Sequence, residues 1–446
     1  MSLSSHIKRF QSRVLLALFL AFAIQAAFGY VALTPTRTVA QEETSESAPQ
    51  KLEPIFVKAY SFNGRRMEVY DHAALPRWGG EDPNQTDRIF VLYPRDGSYE
   101  NRPLYVALHS AGGSAETELS WRMGKEVHNI YLVPDDFYGF FIDCHVHKDR
   151  DWWWGGRRAD EPEINDENRA KSTAELQPVE KRALDEIQWM IDRYKIDSNR
   201  VYLCGNSMGG SGTLGLGLRH GELFAAIKAN VPAGIWHAYD RLQLAEDSPT
   251  VAFPDPPVCL DYSAPNDQWS AYHERLFEGM ERRKYSYIAY WGNFGHANLD
   301  EVVAKHNDLF NTFPWTEVRK NEAYAVFTNA STDDSIPWPD SLADAPAGQR
   351  GAYFRWSART DTETKFEIEL RLASAEELKS TLFEIPTTAT ADVSLRRLQR
   401  FAVAPNEEIA WRYGDASGKV KADQNGLVTI PRLTVETAPK TLLLEK

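Results

Sequence analysis

Val201-Tyr202-Leu203-Cys204-Gly205-Asn206-Ser207-Met208-Gly209 is a short apolar run that ends in a serine flanked by glycines. Ser211-Gly212-Thr213-Leu214-Gly215-Leu216-Gly217-Leu218 follows as a small-residue helix start. A strand that turns sharply into a helix lifts the residue at the turn above the sheet, and glycines on both sides admit the close backbone approach this demands. Ser207 is therefore the candidate nucleophile. A serine hydroxyl needs a base, and the base needs an acid to orient it.

Working outward, the segments on either side alternate between strand and helix. Arg88–Tyr93, Leu104–Leu108 and Gly139–Asp143 are short apolar runs before the serine. Ala225–Ala229, Val258–Leu260 and Tyr285–Tyr290 come after it. Glu175–Tyr194 carries Leu176, Val179, Ala183, Ile187, Met190 and Ile191 at helical spacing. This alternation predicts an α/β fold, a mostly parallel sheet with helices on both faces, over residues 52–314. Beyond Trp315 the period becomes two: Phe366, Ile368, Leu370 and Leu372 alternate with charges, as do Ala352–Arg359 and Ile409–Tyr413. Asn425-Gly426 reads as a hairpin turn. Residues 315–446 are expected to form a C-terminal antiparallel β-sandwich packed against the first half.

In a sheet of this kind the acid and the base sit on loops at the C-terminal ends of later strands. His296 ends Trp291-Gly292-Asn293-Phe294-Gly295-His296, directly after the run Tyr285–Tyr290, and is the expected base. Among its rivals, His220 is expected in the helix behind the serine, and His273 and His306 at helical surface positions; His237 is the fourth. Asp267 follows the strand that starts at Val258 and is the expected acid; Asp261 lies inside that strand and is read as structural, and Asp300 comes after the histidine. The oxyanion needs two donors. One is the N–H of Met208. The other is Ala111 or Ser110, in the loop His109-Ser110-Ala111-Gly112-Gly113 after Leu104–Leu108.

These motifs, in the order His109-Ser110-Ala111-Gly112-Gly113, Gly205-Asn206-Ser207-Met208-Gly209, Asp267 and His296, resemble the α/β-hydrolase superfamily. Within it the chain is similar to secreted bacterial esterases of the feruloyl-esterase and polyhydroxybutyrate-depolymerase type and to related predicted peptidases, over residues 85–314. The resemblance implies an α/β-hydrolase fold and cofactor-free acyl-enzyme hydrolysis of a carboxylic ester, with an acyl group on carbohydrate as the expected substrate. Serine peptidase action and non-catalytic glycan binding are the alternatives. The oxyanion loop departs from the commoner His-Gly-Gly-Gly form.

Substrate contacts are expected from His109, from Trp152, Trp153, Trp154 and Arg157 in an aromatic and basic stretch, and from Trp236, in what reads as a loop between Ala229 and Val258. For the tryptophans, packing is the competing reading. No metal site is expected: His145 and His147 lack the partners of a zinc pattern, and the acidic run Asp160–Glu167 reads as solvated loop. Cys144, Cys204 and Cys259 read as buried strand residues.

Charge and length bound the rest. The chain has 446 residues and a net charge of −13, which repels phosphate backbones and argues against a nucleic-acid partner. Lys8, Arg9 and Arg13 precede the apolar run Val14–Ala27, and Thr38-Val39-Ala40 offers a cleavage site. Residues 1–40 are thus a signal peptide or an uncleaved membrane anchor, and 41–51 a flexible spacer. Either reading exports the protein to the periplasm or beyond.

Overall fold

The computed structural model describes residues 51–78, 86–119, 129–144, 153, 175–246, 254–296, 312–338, 345–378 and 383–446. The expected export signal, Trp152, Trp154, Arg157, His145, His147, the acidic run and His306 lie outside them.

The first nine strands are β1 (Ile55–Phe62), β2 (Arg65–Ala73), β3 (Thr86–Leu92), β4 (Leu104–Leu108), β5 (Tyr138–Ile142), β6 (Val201–Asn206), β7 (Ala226–Asn230), β8 (Val258–Ser263) and β9 (Tyr287–Trp291). The next two are β10 (Tyr324–Thr328) and β11 (Gly348–Arg350). Ten of these build one sheet in the order β1-β2-β3-β5-β4-β6-β7-β8-β9-β11. The centre, from β5 through β4, β6, β7 and β8 to β9, is parallel. The edges are antiparallel. The crossing of β4 and β5, with Ser207 directly after the central β6, is the arrangement of an α/β-hydrolase sheet.

Sequence periodicity located most of these strands to within two residues, because strands buried on both faces are continuously apolar. The β1–β2 hairpin was not anticipated, although its Asn63-Gly64 turn carries a signal. Both turn residues have positive φ, +48° and +73°, as a two-residue hairpin requires.

The two faces of the sheet are covered differently. Leu104, Val106, Leu108, Val201 and Leu203 share a cluster with Val179, Ala183, Ile187 and Met190 of the helix Pro178–Tyr194 and with Leu276 and Met280 of the helix His273–Arg283. Tyr105, Ala107, Tyr202 and Cys204, pointing the other way, belong to a cluster that continues through Trp315 and Tyr324 into the C-terminal strands. Helices were expected on both faces, with the C-terminal β-structure packed against this half; among the described residues, that β-structure covers much of the second face itself.

That structure comprises β12 (Phe354–Asp361), β13 (Lys365–Leu372), β14 (Thr388–Arg396), β15 (Glu408–Tyr413), β16 (Ala416–Lys421), β17 (Thr429–Glu436) and β18 (Lys440–Glu445). It forms two antiparallel sheets, β10-β14-β17 and β12-β13-β18-β15-β16. Asn425-Gly426 is a turn, with φ +80° at the glycine, but the strands on either side of it enter different sheets and do not pair as a hairpin. Residue 315 is not a boundary of the core. β11 joins the large sheet beside β9, and residues 51–446 form one compact unit.

Candidate active site

Ser207 occupies the turn between β6 and the helix Met208–Gly212, with φ 58° and ψ −118°, a conformation that costs a non-glycine residue energy and that its surroundings must enforce. They do so with backbone bonds. The Ser207 N–H donates to Asn230 O at 2.9 Å, and Ser207 O accepts from the Ser211 N–H at 2.9 Å and from Ser211 Oγ at 3.1 Å. Gly205 and Gly209 make the turn possible. A Cβ on Gly209 would lie 2.1 Å from Leu108 O, and one on Gly205 2.4 Å from the Gly209 carbonyl carbon. Gly209→Ala is therefore expected to destabilise the fold by about 1–3 kcal/mol through overpacking, read as a lower thermal midpoint.

His296 and Asp267 come to Ser207 from 89 and 60 residues away in the chain. Ser207 Oγ lies 2.7 Å from His296 Nε2, and His296 Nδ1 lies 2.7 Å from Asp267 Oδ2. The Asp267 carboxylate is fully buried, whereas the His296 side chain keeps 35% of its surface open to solvent. Asp267 Oδ1 accepts the Trp269 N–H at 2.9 Å, so each carboxylate oxygen has its own donor. The acid loop and the base loop are tied together by the Gly295 N–H, which donates to Asn266 Oδ1 at 2.8 Å. Chemically this is a hydroxyl aimed at an imidazole whose other nitrogen faces a buried carboxylate.

The two candidate oxyanion donors in the 109–113 loop separate. The Ser110 N–H donates to the Glu118 carboxylate at 3.2 Å and is committed there. Ala111, at the exposed tip, has no such tie. The Ser110 hydroxyl instead donates to Asn206 O at 3.0 Å and accepts from Asn206 Nδ2 at 3.1 Å, fastening the loop to the strand that carries Ser207. Tyr131 OH adds a second tie, donating to Leu108 O at 3.0 Å and accepting the Asn206 N–H at 3.1 Å.

Two expected substrate contacts are buried instead. Trp153 has no exposed surface; its Nε1 donates to His109 O at 3.0 Å and its side chain packs against Gly212. His109 is 1% exposed, with Nδ1 2.8 Å from Ser110 O and Nε2 accepting the Cys144 N–H at 3.1 Å. Both brace the 109–113 loop from beneath. Trp236 is half-buried on the helix Ile235–Arg241, not on a loop.

The rival histidines are disposed of by their surroundings. His273 is not a surface residue: it is fully buried and bonded to Asp261 Oδ2 at 3.1 Å and Ser263 Oγ at 2.8 Å, which also gives Asp261 its structural role. His220 lies just past the helical stretch that ends at Gly217 and pairs with Glu222 at 2.6 Å. His237 is buried in the helix Ile235–Arg241. Burial pushes the Cys204 thiol up to about 12, which leaves no thiolate beside the serine at neutral pH. Among the described residues no group of three or more His, Cys, Asp or Glu is placed to hold a metal.

Sequence reading did not find Trp269, Asn266, Glu118 or Trp338. Trp269 is half-buried with its ring 6.4 Å from that of His296. A tryptophan two residues after the acid was the available signal. Glu118 lies only eight residues from Ser110, but one acidic side chain in a polar stretch marks no partner; Trp338 is 68 residues from Ser270 and carried no signal at all.

No protein-family profile matches the chain, and no curated protein does. Solved structures that it resembles include esterases of the α/β-hydrolase type. An S-formylglutathione hydrolase from Agrobacterium tumefaciens is 14% identical, with a TM-score of 0.37, covering 55% of this chain and 93% of its own. A ferulic acid esterase from Anaeromyces mucronatus is 15% identical, with a TM-score of 0.35, covering 60% and 91%. A carboxylesterase from Bacillus cereus is 16% identical, with a TM-score of 0.34, covering 48% and 88%.

Proposed function

We propose that this chain is an exported serine hydrolase that cleaves carboxylic esters through an acyl-enzyme, with acetyl or feruloyl groups on carbohydrate as its substrates. The observation that carries the reading is the run of two 2.7 Å contacts from Ser207 Oγ through His296 to Asp267, built on a strained turn at the end of a central parallel strand. In this reading Ser207 Oγ attacks the ester carbonyl carbon while His296 Nε2 takes its proton. The oxyanion accepts the N–H groups of Met208 and Ala111, and Asp267 stabilises the imidazolium. His296 then returns the proton to the leaving alkoxide, and water, activated by the same nitrogen, releases the acid. The half-buried Trp269 beside His296 supports a planar or sugar-bearing substrate, because its face can stack against either.

Labelling with a fluorophosphonate, followed by peptide mapping, tests the reading. A single adduct on Ser207 is expected. A folded, unlabelled protein would overturn it. Turnover of acetylated xylan and aryl acetates is expected; turnover of peptide anilides alone would replace the esterase by a peptidase.

A further inference from the structure

The acid loop, residues 264–272, is held by more than its own turn. The Asp267 N–H donates to Ala264 O at 3.0 Å. Asp267 O accepts the Ser270 N–H at 3.1 Å and Ser270 Oγ at 2.8 Å. Because the Ser270 hydroxyl spends its one hydrogen on Asp267 O, it is free to accept, and it accepts the indole N–H of Trp338 at 3.0 Å. The result is a directional relay, Trp338 N–H to Ser270 O–H to the Asp267 carbonyl, in which each bond polarises the next. Trp338 is 6% exposed and stacks on His273, ring centroids 4.8 Å apart at 23°. His273 in turn lies 2.6 Å, through Nδ1, from Ser270 O.

The same stretch of chain reaches the base loop. Asn293 Nδ2 donates to Ala345 O at 2.7 Å. β11 pairs with β9, whose last residue, Trp291, opens that loop, and Gly348 packs so closely on the Trp291 indole that a Cβ there would come within 2.4 Å of it. Residues 333–334 lock onto β11 from the other side: the Asp334 N–H donates to Gln349 O at 3.1 Å, Asp334 Oδ2 accepts the Gln349 N–H at 2.9 Å, and Asp333 Oδ1 accepts the Gly351 N–H at 3.1 Å. One element thus touches both loops and is itself anchored to the rigid sheet.

We infer that residues 333–338 and 345–351 are a splint that sets the Asp267–His296 geometry, and that Trp338 is a positioning residue acting through Ser270. The inference rests on the serine-hydrolase reading and assigns the start of the C-terminal region a part in the chemistry. Buried packing alone would need only an indole-sized ring at 338. The relay needs its N–H.

Trp338→Phe keeps a ring against His273 but removes the donor together with part of the indole; Ser270→Ala breaks the relay at its middle member and leaves the indole in place. Each is expected to lower kcat on 4-nitrophenyl acetate, and the rate of fluorophosphonate labelling of Ser207, by about tenfold, because small displacements of an acid–base pair are costly. KM is expected to change less than about twofold, because the relay acts on the reacting groups and not on substrate binding. The double variant is expected to lose no more than either single one, since both break the same relay. Trp356→Phe, in β12 and away from both loops, is expected to leave both rates unchanged. A Trp338→Phe protein that is less heat-stable but has an unchanged kcat would overturn the inference, and so would losses that multiply in the double variant. An unaltered chain that takes no label would overturn the serine-hydrolase reading and this inference with it. Labelling of the unaltered chain and Trp338→Phe at equal rates would overturn the inference alone.

Discussion

Replacing Ser207 by alanine is expected to abolish ester hydrolysis, lowering kcat by about 10⁶, with thermal stability unchanged or raised. The size follows from the geometry. Ser207 Oγ is the one hydroxyl within hydrogen-bonding distance of His296 Nε2 among the described residues. The neighbouring hydroxyls are committed elsewhere: Ser211 Oγ donates to Ser207 O at 3.1 Å, and Ser110 Oγ donates to Asn206 O at 3.0 Å. Neither can take over as nucleophile without breaking the turn or the oxyanion loop. The stability expectation has its own cause. Ser207 holds φ at 58°, a strain that alanine shares, but alanine leaves no hydroxyl to pair with the imidazole, and His296 is open enough to solvent for water to replace it. Steady-state kinetics on an aryl acetate, alongside a thermal melt, check both halves. A loss smaller than about 10³ would point to hydrolysis at another group, since the oxyanion donors alone leave a residual of roughly 10³–10⁴ over water.

Asp267→Asn is expected to lower kcat by about 10⁴ while leaving the fold intact. The two carboxylate oxygens of Asp267 are not equivalent: Oδ1 accepts the Trp269 N–H at 2.9 Å, and Oδ2 lies 2.7 Å from His296 Nδ1. An asparagine must keep its oxygen toward the Trp269 N–H, because its amide group turned that way would set donor against donor. The amide NH2 then faces His296 Nδ1, which is forced to become the acceptor. The ring proton moves to Nε2, the nitrogen that must accept the proton of Ser207, and the base is disabled by tautomer rather than by distance. Asp267→Ala removes the donor conflict along with the acceptor, so it is expected to be no worse than Asp267→Asn. That ranking, measured as kcat for the two variants, separates a tautomer effect from simple loss of charge.

Ser207, Asp267 and His296, which the structure brings together, were all readable along the chain, and for one reason. Each sits within a few residues of the end of a continuously apolar strand, and that local pattern survives whatever the rest of the molecule does. Gly205 and Gly209 mark the turn because no side chain fits there, and Gly292 and Gly295 mark the base loop. The substrate tryptophans were not separable in this way. Trp153 looks like an exposed stacking face in sequence, yet it is buried against His109 and Gly212, since composition says that an aromatic will be covered but not by what. His273 was misplaced for the converse reason. One histidine among charged residues reads as surface, and only the partners Asp261 and Ser263, ten and more residues away, explain how it can be buried.

By itself, then, the sequence determined the strand–turn–helix around Ser207, the placement of Asp267 and His296 in loops after later strands and the change of period near residue 315. All of these are set by backbone preference and burial over a few neighbouring positions. Tertiary structure alone decided that Trp153 is buried beneath the 109–113 loop, which face of the large sheet the C-terminal strands cover, and that Trp338 reaches the acid loop through Ser270. These depend on which distant surfaces meet. A hydrogen bond across 68 residues leaves no periodic trace in the chain that makes it.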